Sequence, residues 1–313
     1  MSRTKNTKED RLTAFLFVLI PAIFVIIGIL FFPFPLKEDV KGLLSVPNFI
    51  GLILLGIGFF VKNRDIAGKI RICGWGFIAF FWSTQINSLY FGEEGDAVNT
   101  FFCAAGVFVL LYVAYHEWLS LKRKEDVSCL NWIAGAGVVA GFIYFGIEMT
   151  SLEMWLREVV ASQSAGILNV FTGNVYQKGT DITWGQASVG IIFACTAVQS
   201  MVLFVGMILP LTKVNIKRKF YGLLITVVPV YFLNLVRNAL VVYLTGAYGT
   251  DFFPIAHNVI AKGLGLLALV ILLLILIKIV PEIFDEIVCL IDIHKRNGPI
   301  ERFVKRYVLG KKL

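Results

Sequence analysis

The chain has 313 residues, 58% of them hydrophobic, with mean hydropathy +0.79 and a formal net charge of +8. No soluble domain of this length has such a composition, so a soluble enzyme is excluded and an all-α polytopic membrane protein is expected. The positive balance fits a chain lying against anionic lipid and gives no case for a nucleic-acid partner.

Apolar runs of spanning length lie near residues 13–33, 43–61, 72–91, 97–116, 130–149, 191–211, 220–246 and 258–280, which predicts about eight transmembrane helices. The first run is too long, and too closely followed by a second, for a cleaved signal peptide. Loop charges test the count. With a cytoplasmic N-terminus, the inner segments 1–12, 61–71, 117–128, 212–219 and 278–313 carry 23 Lys and Arg, against four in the outer segments 34–42, 92–96, 150–190 and 247–257. The positive-inside rule then places both termini in the cytoplasm.

The first four helices carry little chemistry. Phe31-Phe32-Pro33-Phe34-Pro35 ends the first, because proline cannot continue a helix. The outer loop Gly92 to Asp96 is acidic. The polar stretch from Trp82 to Ser88 reads either as interhelical hydrogen bonding, the favoured reading, or as a cavity lining. Cys73, Cys103, Cys129 and Cys289 show no metal-ligand spacing and read as packing residues. His116 and His294 stand near charge clusters and read as solvated.

The one long outer segment runs from Glu148 to Gly190. Its first half, Ser151 to Phe171, places Leu152, Trp155, Leu156, Val159 and Val160 at helical spacing, which predicts an amphipathic helix on the outer surface. Its second half, Val175 to Trp184 around Gly179, predicts a β-hairpin. Val189 to Ile192 reads as still extended. The segment leads into Phe193-Ala194-Cys195-Thr196-Ala197-Val198-Gln199-Ser200, where a thiol, two hydroxyls and an amide interrupt an apolar run. Helical spacing puts Thr196, Gln199 and Ser200 on one face, with Cys195 at its edge. A helix beginning near Phe193 places Cys195 among unpaired N–H groups that favour a thiolate.

The seventh run holds Asn234, Arg237 and Asn238, a polar cluster able to orient a guanidinium that snorkels outward. Pro254 suits the first turn of the eighth run, with His257-Asn258 just inside it and Lys262 deeper. A thiol, a guanidinium and an imidazole at one membrane face are too costly to be incidental and form a candidate catalytic constellation. The tail after Pro281 is expected along the inner surface.

These residues resemble the exosortase/archaeosortase family of membrane transpeptidases. The resemblance covers roughly Leu168 to Gly265: Leu168-Asn169-Val170, the hairpin, Ala194-Cys195-Thr196 with Gln199-Ser200, Asn234-Leu235-Val236-Arg237-Asn238, and His257-Asn258. The alanine-cysteine-threonine form is closer to the archaeal branch than to bacterial members, which more often show Cys-Ser-Gly. The resemblance implies a cysteine transpeptidase acting on secreted proteins with a C-terminal sorting signal: a short motif, a transmembrane helix, then basic residues. It implies Cys195 as nucleophile, Arg237 as oxyanion stabiliser and His257 as general acid and base, with Thr196, Gln199, Asn234, Asn238 and Asn258 in support. It implies a membrane lipid as acceptor, and no metal or organic cofactor. The expected division is 1–149 for the N-terminal helices, 150–190 for the extracytoplasmic segment, 191–280 for the catalytic helices and 281–313 for a cytoplasmic basic tail. A hydrolase releasing the same thioester to water is the open alternative. A transporter is disfavoured because helices 6 to 8 hold no carboxylate before Glu282. A thiol oxidoreductase is disfavoured for want of a second outer cysteine.

Overall fold

A computed structural model describes residues 2–92, 95 and 97–310. The acidic residues of the expected outer loop, 93, 94 and 96, and residues 311–313 lie outside the described part. The chain forms two compact units, Met1–Val138 with Glu286–Leu313, and Val139–Asp285.

The first unit contains α1 (Ser2–Phe31), α2 (Glu38–Phe60), α3 (Arg64–Thr84), α4 (Ile86–Phe91) and α5 (Ala97–Arg123), with the start of α6 (Ser128–Glu148). A Cβ on Gly51 would stand 2.9 Å from the Gly74 carbonyl oxygen, and one on Gly74 would stand 3.0 Å from the Gly51 oxygen. Two missing side chains thus let the backbones of α2 and α3 touch. Arg71 is the charge this packing encloses. Its Nε and Nη2 donate to the two Glu117 oxygens at 2.6 and 2.9 Å, and its Nη1 donates to the Gly58 carbonyl and to Asn131. The fully made fork is what permits Glu117 to be buried. In the polar stretch, Asn87 donates to the Ile29 and Phe32 carbonyls, closing the end of α1 where helical partners run out.

Among the described residues, six stretches are long and apolar enough to cross a membrane: Asp10–Phe31, Gly42–Phe60, Ala97–Arg123, Ser128–Glu148, Ile216–Tyr248 and Thr250–Ile279. Two of the eight expected runs, the third and the sixth, are not among them. The third run is not one helix: α3 starts earlier, at four charged residues that lower its hydropathy, and breaks at Gln85, whose N–H bonds back to Trp82. In the sixth run the α-helix is only Val198–Ile208, 11 residues, because the chain turns at Ala197 as described below.

Two readings of side chains are overturned. Cys129 and Cys289 are joined in a disulfide, with Cα atoms 5.9 Å apart, rather than packing singly. The bond ties the start of α6 to α11 (Glu282–Ile291). Glu286 lies one turn before Cys289, but sulfurs bonded to each other offer no thiolate to a metal. His116 is fully buried rather than solvated. Its Nε2 lies 3.2 Å from a Glu301 oxygen, and its ring meets Tyr112 and Tyr115 edge-on.

Glu301 belongs to the last helix, α12 (Pro299–Tyr307), which packs on α1. It accepts from Tyr112 Oη at 2.6 Å and Tyr115 Oη at 3.1 Å, while Arg302 pairs with Asp10. Burial pushes the Glu301 carboxyl up, but the His116 ring and the Tyr112 hydroxyl outweigh it and hold it down at about 2. A carboxyl depressed in the folded state stabilises above its unfolded value, near 4.3, and the gain is lost as pH falls through its folded value. Glu301→Ala should cost α12 docking about 2 kcal/mol, since the Tyr112 and Tyr115 hydroxyls lose their acceptor. Limited trypsin digestion should then cut at Arg302, Lys305 and Arg306. In the wild type, amide hydrogen exchange of α12 measured in acid should lose protection as the pH falls from about 4 toward 2 but not at pH 5.

The second unit carries α7 (Leu152–Thr172), three strands, α8 (Val198–Ile208), α9 (Ile216–Tyr248) and α10 (Lys262–Ile279). α7 is helical as expected, but of the expected stripe only Val160 is fully buried. The face that packs is Val160, Ala161, Ser164, Ala165 and Leu168, whose small members let α9 approach, while Leu152 and Trp155 stay exposed. The expected hairpin is a three-stranded antiparallel sheet, β1 (Tyr176–Lys178), β2 (Asp181–Trp184) and β3 (Ala187–Gly190), in the order β1-β2-β3. Gly179 and Gly185, at φ +58° and +61°, make its two-residue turns. The sheet rests on α9 where a Cβ on Gly246 would stand 2.6 Å from the Trp184 carbonyl oxygen.

Candidate active site

The strand that ends at Gly190 is prolonged by Ile191, whose N–H bonds the Thr180 carbonyl. Arg157 of α7 donates from Nε to the Ile191 carbonyl at 2.8 Å and is held by Glu153. The chain then turns through a short 3-10 segment, Phe193–Thr196, closed by the Cys195 N–H on the Ile192 carbonyl. Ala197 follows in the left-handed region at φ 65°, and α8 begins only at Val198. Cys195 is therefore not in the first turn of the helix but in a tight turn ahead of it. The expected helical face of Thr196, Gln199 and Ser200, with Cys195 at its edge, does not form: Thr196 lies ahead of α8, buried with its hydroxyl on the Phe193 carbonyl, and Gln199 is exposed.

Cys195 is buried, is not disulfide-bonded, and packs among Val160, Ala161, Leu168, Ile182, Ile191, Leu235 and Ala239. Its backbone carbonyl receives two bonds from α9, from Asn234 Nδ2 at 2.7 Å and Asn238 Nδ2 at 3.0 Å. Positions four apart on one helix face meet a single oxygen, which satisfies both of its lone pairs. Arg237 stands between them in sequence and donates from Nη1 to Asn234 Oδ1 at 3.2 Å. Its Nε is buried and has no hydrogen-bond partner among the described residues. A buried donor left unmade costs about 1–3 kcal/mol, more for a charged group.

His257 sits beyond Gly249 in a π-helical stretch, Ile255–Ala261, that opens the span continuing into α10. A wide π turn departs from the ordinary ladder and is often found at functional sites. Ala256 and Ala261, both fully buried, seat this stretch on Val241 of α9. The half-buried ring stacks on Phe253 with centroids 5.3 Å apart and planes 13° from parallel. The cations of Arg237 and Lys262 both act on it through space. Asn258 is exposed. The structure thus ties Cys195 to Asn234 and Asn238 directly, ties Arg237 to them through Asn234, and sets His257 within the field of Arg237. Gln199 and Asn258 take no part in the hydrogen bonds that join these residues. Sequence reasoning missed Arg157, the residue that clamps the strand leading to Cys195. Its signal was a guanidinium four residues after Glu153 on a helix with little other charge.

The sequence profile described as "Transmembrane exosortase" matches residues 16–277. The chain belongs to the transmembrane exosortase family. This exosortase is 24% identical over 276 residues to Archaeosortase A of Haloferax volcanii, covering 76% of this chain and 89% of that protein. It is 25% identical over 280 residues to Archaeosortase A of Natronomonas pharaonis, covering 77% and 86%. No solved structure gives a significant match. The family match takes in every residue of the site and stops before α11, so the α11–α12 tail of this exosortase lies outside it. With six spanning stretches, it is a multi-pass membrane protein.

Proposed function

We propose that this chain is a cysteine transpeptidase that removes the C-terminal sorting signal of secreted proteins and transfers them to a membrane lipid. The observation that carries the reading is the Arg237 Nε, an unmatched buried donor on the helix whose asparagines hold the Cys195 backbone. In the proposed sequence, the Cys195 thiol passes its proton to His257 and the sulfur attacks the scissile carbonyl. The oxyanion takes its bonds from Arg237. Collapse breaks the C–N bond, His257 returns the proton to the leaving amine, and a thioester remains on Cys195. The acceptor hydroxyl or amine then gives its proton to His257 and displaces the sulfur. Asn234 and Asn238 fix the turn that carries the thiol, so the nucleophile needs no rearrangement.

Mass analysis of a co-expressed secreted protein bearing a motif, a transmembrane helix and a basic end tests the reading. The expected product has lost the helix and gained the mass of a lipid at its new C-terminus. A free carboxylate there would favour the hydrolase, and an intact signal would overturn both. The charge asymmetry supports an extracytoplasmic site, with 150–190 and 247–257 outside and 212–219 inside. Single cysteines introduced at 212–219 should resist an impermeant thiol reagent added to whole cells; labelling there would invert the topology.

A further inference from the structure

The sheet has two edges, and only one runs into the nucleophile. Pairing of Trp184 with Ala187 and of Ile182 with Val189, together with the Ile191 N–H on Thr180, fixes which backbone groups point where. In an antiparallel ladder the bonded residues alternate. Residues 187, 189 and 191 therefore face β2, and the N–H and C=O groups of Ser188 and Gly190 face away from the sheet. Both residues are exposed. The devices that usually protect such an edge are missing from it. β3 carries no proline and no lysine, and Gly190 has no side chain to obstruct a neighbour. The opposite edge differs: β1 ends in Lys178, and the Gln177 amide folds onto the Gly179 carbonyl. Four backbone groups in a row that pair with no described residue are complementary to one thing, another extended backbone.

We propose that the free edge of β3 binds the substrate's recognition stretch as a fourth strand, five residues ahead of Cys195. The inference rests on the transpeptidase reading and adds to it how the substrate is held. Main-chain pairing supplies the affinity and sets the register of the scissile bond, because Arg157 fixes the end of the strand at Ile191. The side chains of the bound strand alternate between two faces. One face adjoins the Thr183–Ser188 hydroxyl pair, 3.0 Å apart, and the other adjoins Val189 and Trp184. The preferred substrate is thus an extended peptide alternating small polar and apolar residues.

Ser188→Pro tests this, since it removes an edge N–H that β2 does not use and sets a ring in the path of an incoming strand. Processing of the co-expressed secreted protein should fall at least tenfold, with the thermal midpoint and the rate of Cys195 alkylation by iodoacetamide unchanged. Gln177→Pro, on the other edge, should process normally. Should Ser188→Pro fail to fold, Ser188→Cys in a Cys195→Ala background is oxidised against single cysteines placed along the sorting signal. Crosslinks are then expected at every second position. Normal processing by Ser188→Pro, equal impairment by Gln177→Pro, or crosslinks without alternation overturns the docking while leaving the transpeptidase in place. A wild type that processes no sorting signal overturns both.

Discussion

Cys195→Ala is expected to abolish processing while leaving the protein folded. The substitution removes one sulfur from a turn held chiefly through its backbone, by the Asn234 and Asn238 amides and by the Cys195 N–H on Ile192. None of those bonds involves the side chain, so the turn survives and the chemistry does not. Cys195→Ser should leave little or no activity, because a hydroxyl ionises far less readily than a thiol at the same place. Cys73 and Cys103 should be replaceable without effect on processing. Removing Cys129 or Cys289 opens a bond within the first unit and should act on stability alone. The assay is loss of the sorting signal on a gel, with a thermal melt of each purified variant. Processing by Cys195→Ala at the wild-type rate would falsify the nucleophile assignment.

Arg237→Lys should lose about 10²- to 10³-fold in rate, the usual effect of deleting one oxyanion donor. Lysine keeps the charge but lacks both the Nη1 that reaches Asn234 and the Nε that stands unpartnered. A purely structural arginine would behave otherwise, since lysine snorkels comparably and activity would mostly survive. His257→Ala supplies the contrast. On the proposed mechanism His257 moves the proton in both steps, so His257→Ala should slow thioester formation as well as transfer, and added imidazole should restore part of the rate by supplying the missing base. Imidazole should do nothing for Arg237→Ala, which lacks a hydrogen-bond donor and not a base. Processing assays of both variants with and without imidazole separate the roles, and equal rescue of the two would remove Arg237 from the oxyanion.

Long apolar helices were legible in the sequence because length and composition alone decide them, as for Ile216–Tyr248 and Thr250–Ile279. Breaks were not. The 72–91 run fails at Gln85 and the 191–211 run at Ala197, where one residue in a particular backbone conformation redirects the chain without altering its hydropathy. The third strand was legible only in its second half: Val189 and Gly190 read as extended, but Ala187-Ser188 has no β-branched residue, and what makes it a strand is pairing with β2. Non-local partners were equally out of reach. Glu301 meets Tyr112 across 189 positions, and Cys129 meets Cys289 across 160, distances over which no periodicity speaks. In the site, Cys195, Arg237 and His257 stood out as polar groups in apolar runs. The role of the asparagines was visible only in part: Asn234 does orient the guanidinium, but the shared work of Asn234 and Asn238 is to hold a carbonyl 39 and 43 residues away.

The length of α9 has a consequence for the choice of acceptor. Its 33 residues extend about 50 Å, well beyond a hydrocarbon core of about 30 Å. On the proposed topology, with Lys217, Arg218 and Lys219 at one surface, Arg237 comes about 30 Å further on, at the opposite boundary, and the part of α9 bearing Gly246 and the sheet reaches the headgroup layer. On the proposed mechanism, bond cleavage there would spare the substrate's own helix from unwinding in oil. It would also bring the thioester near water, so that transfer would have to win over hydrolysis by kinetics. An acceptor confined to the plane of the membrane is presented at a far higher local concentration than a soluble one, which is a physical reason for a lipid to be the partner that outruns water.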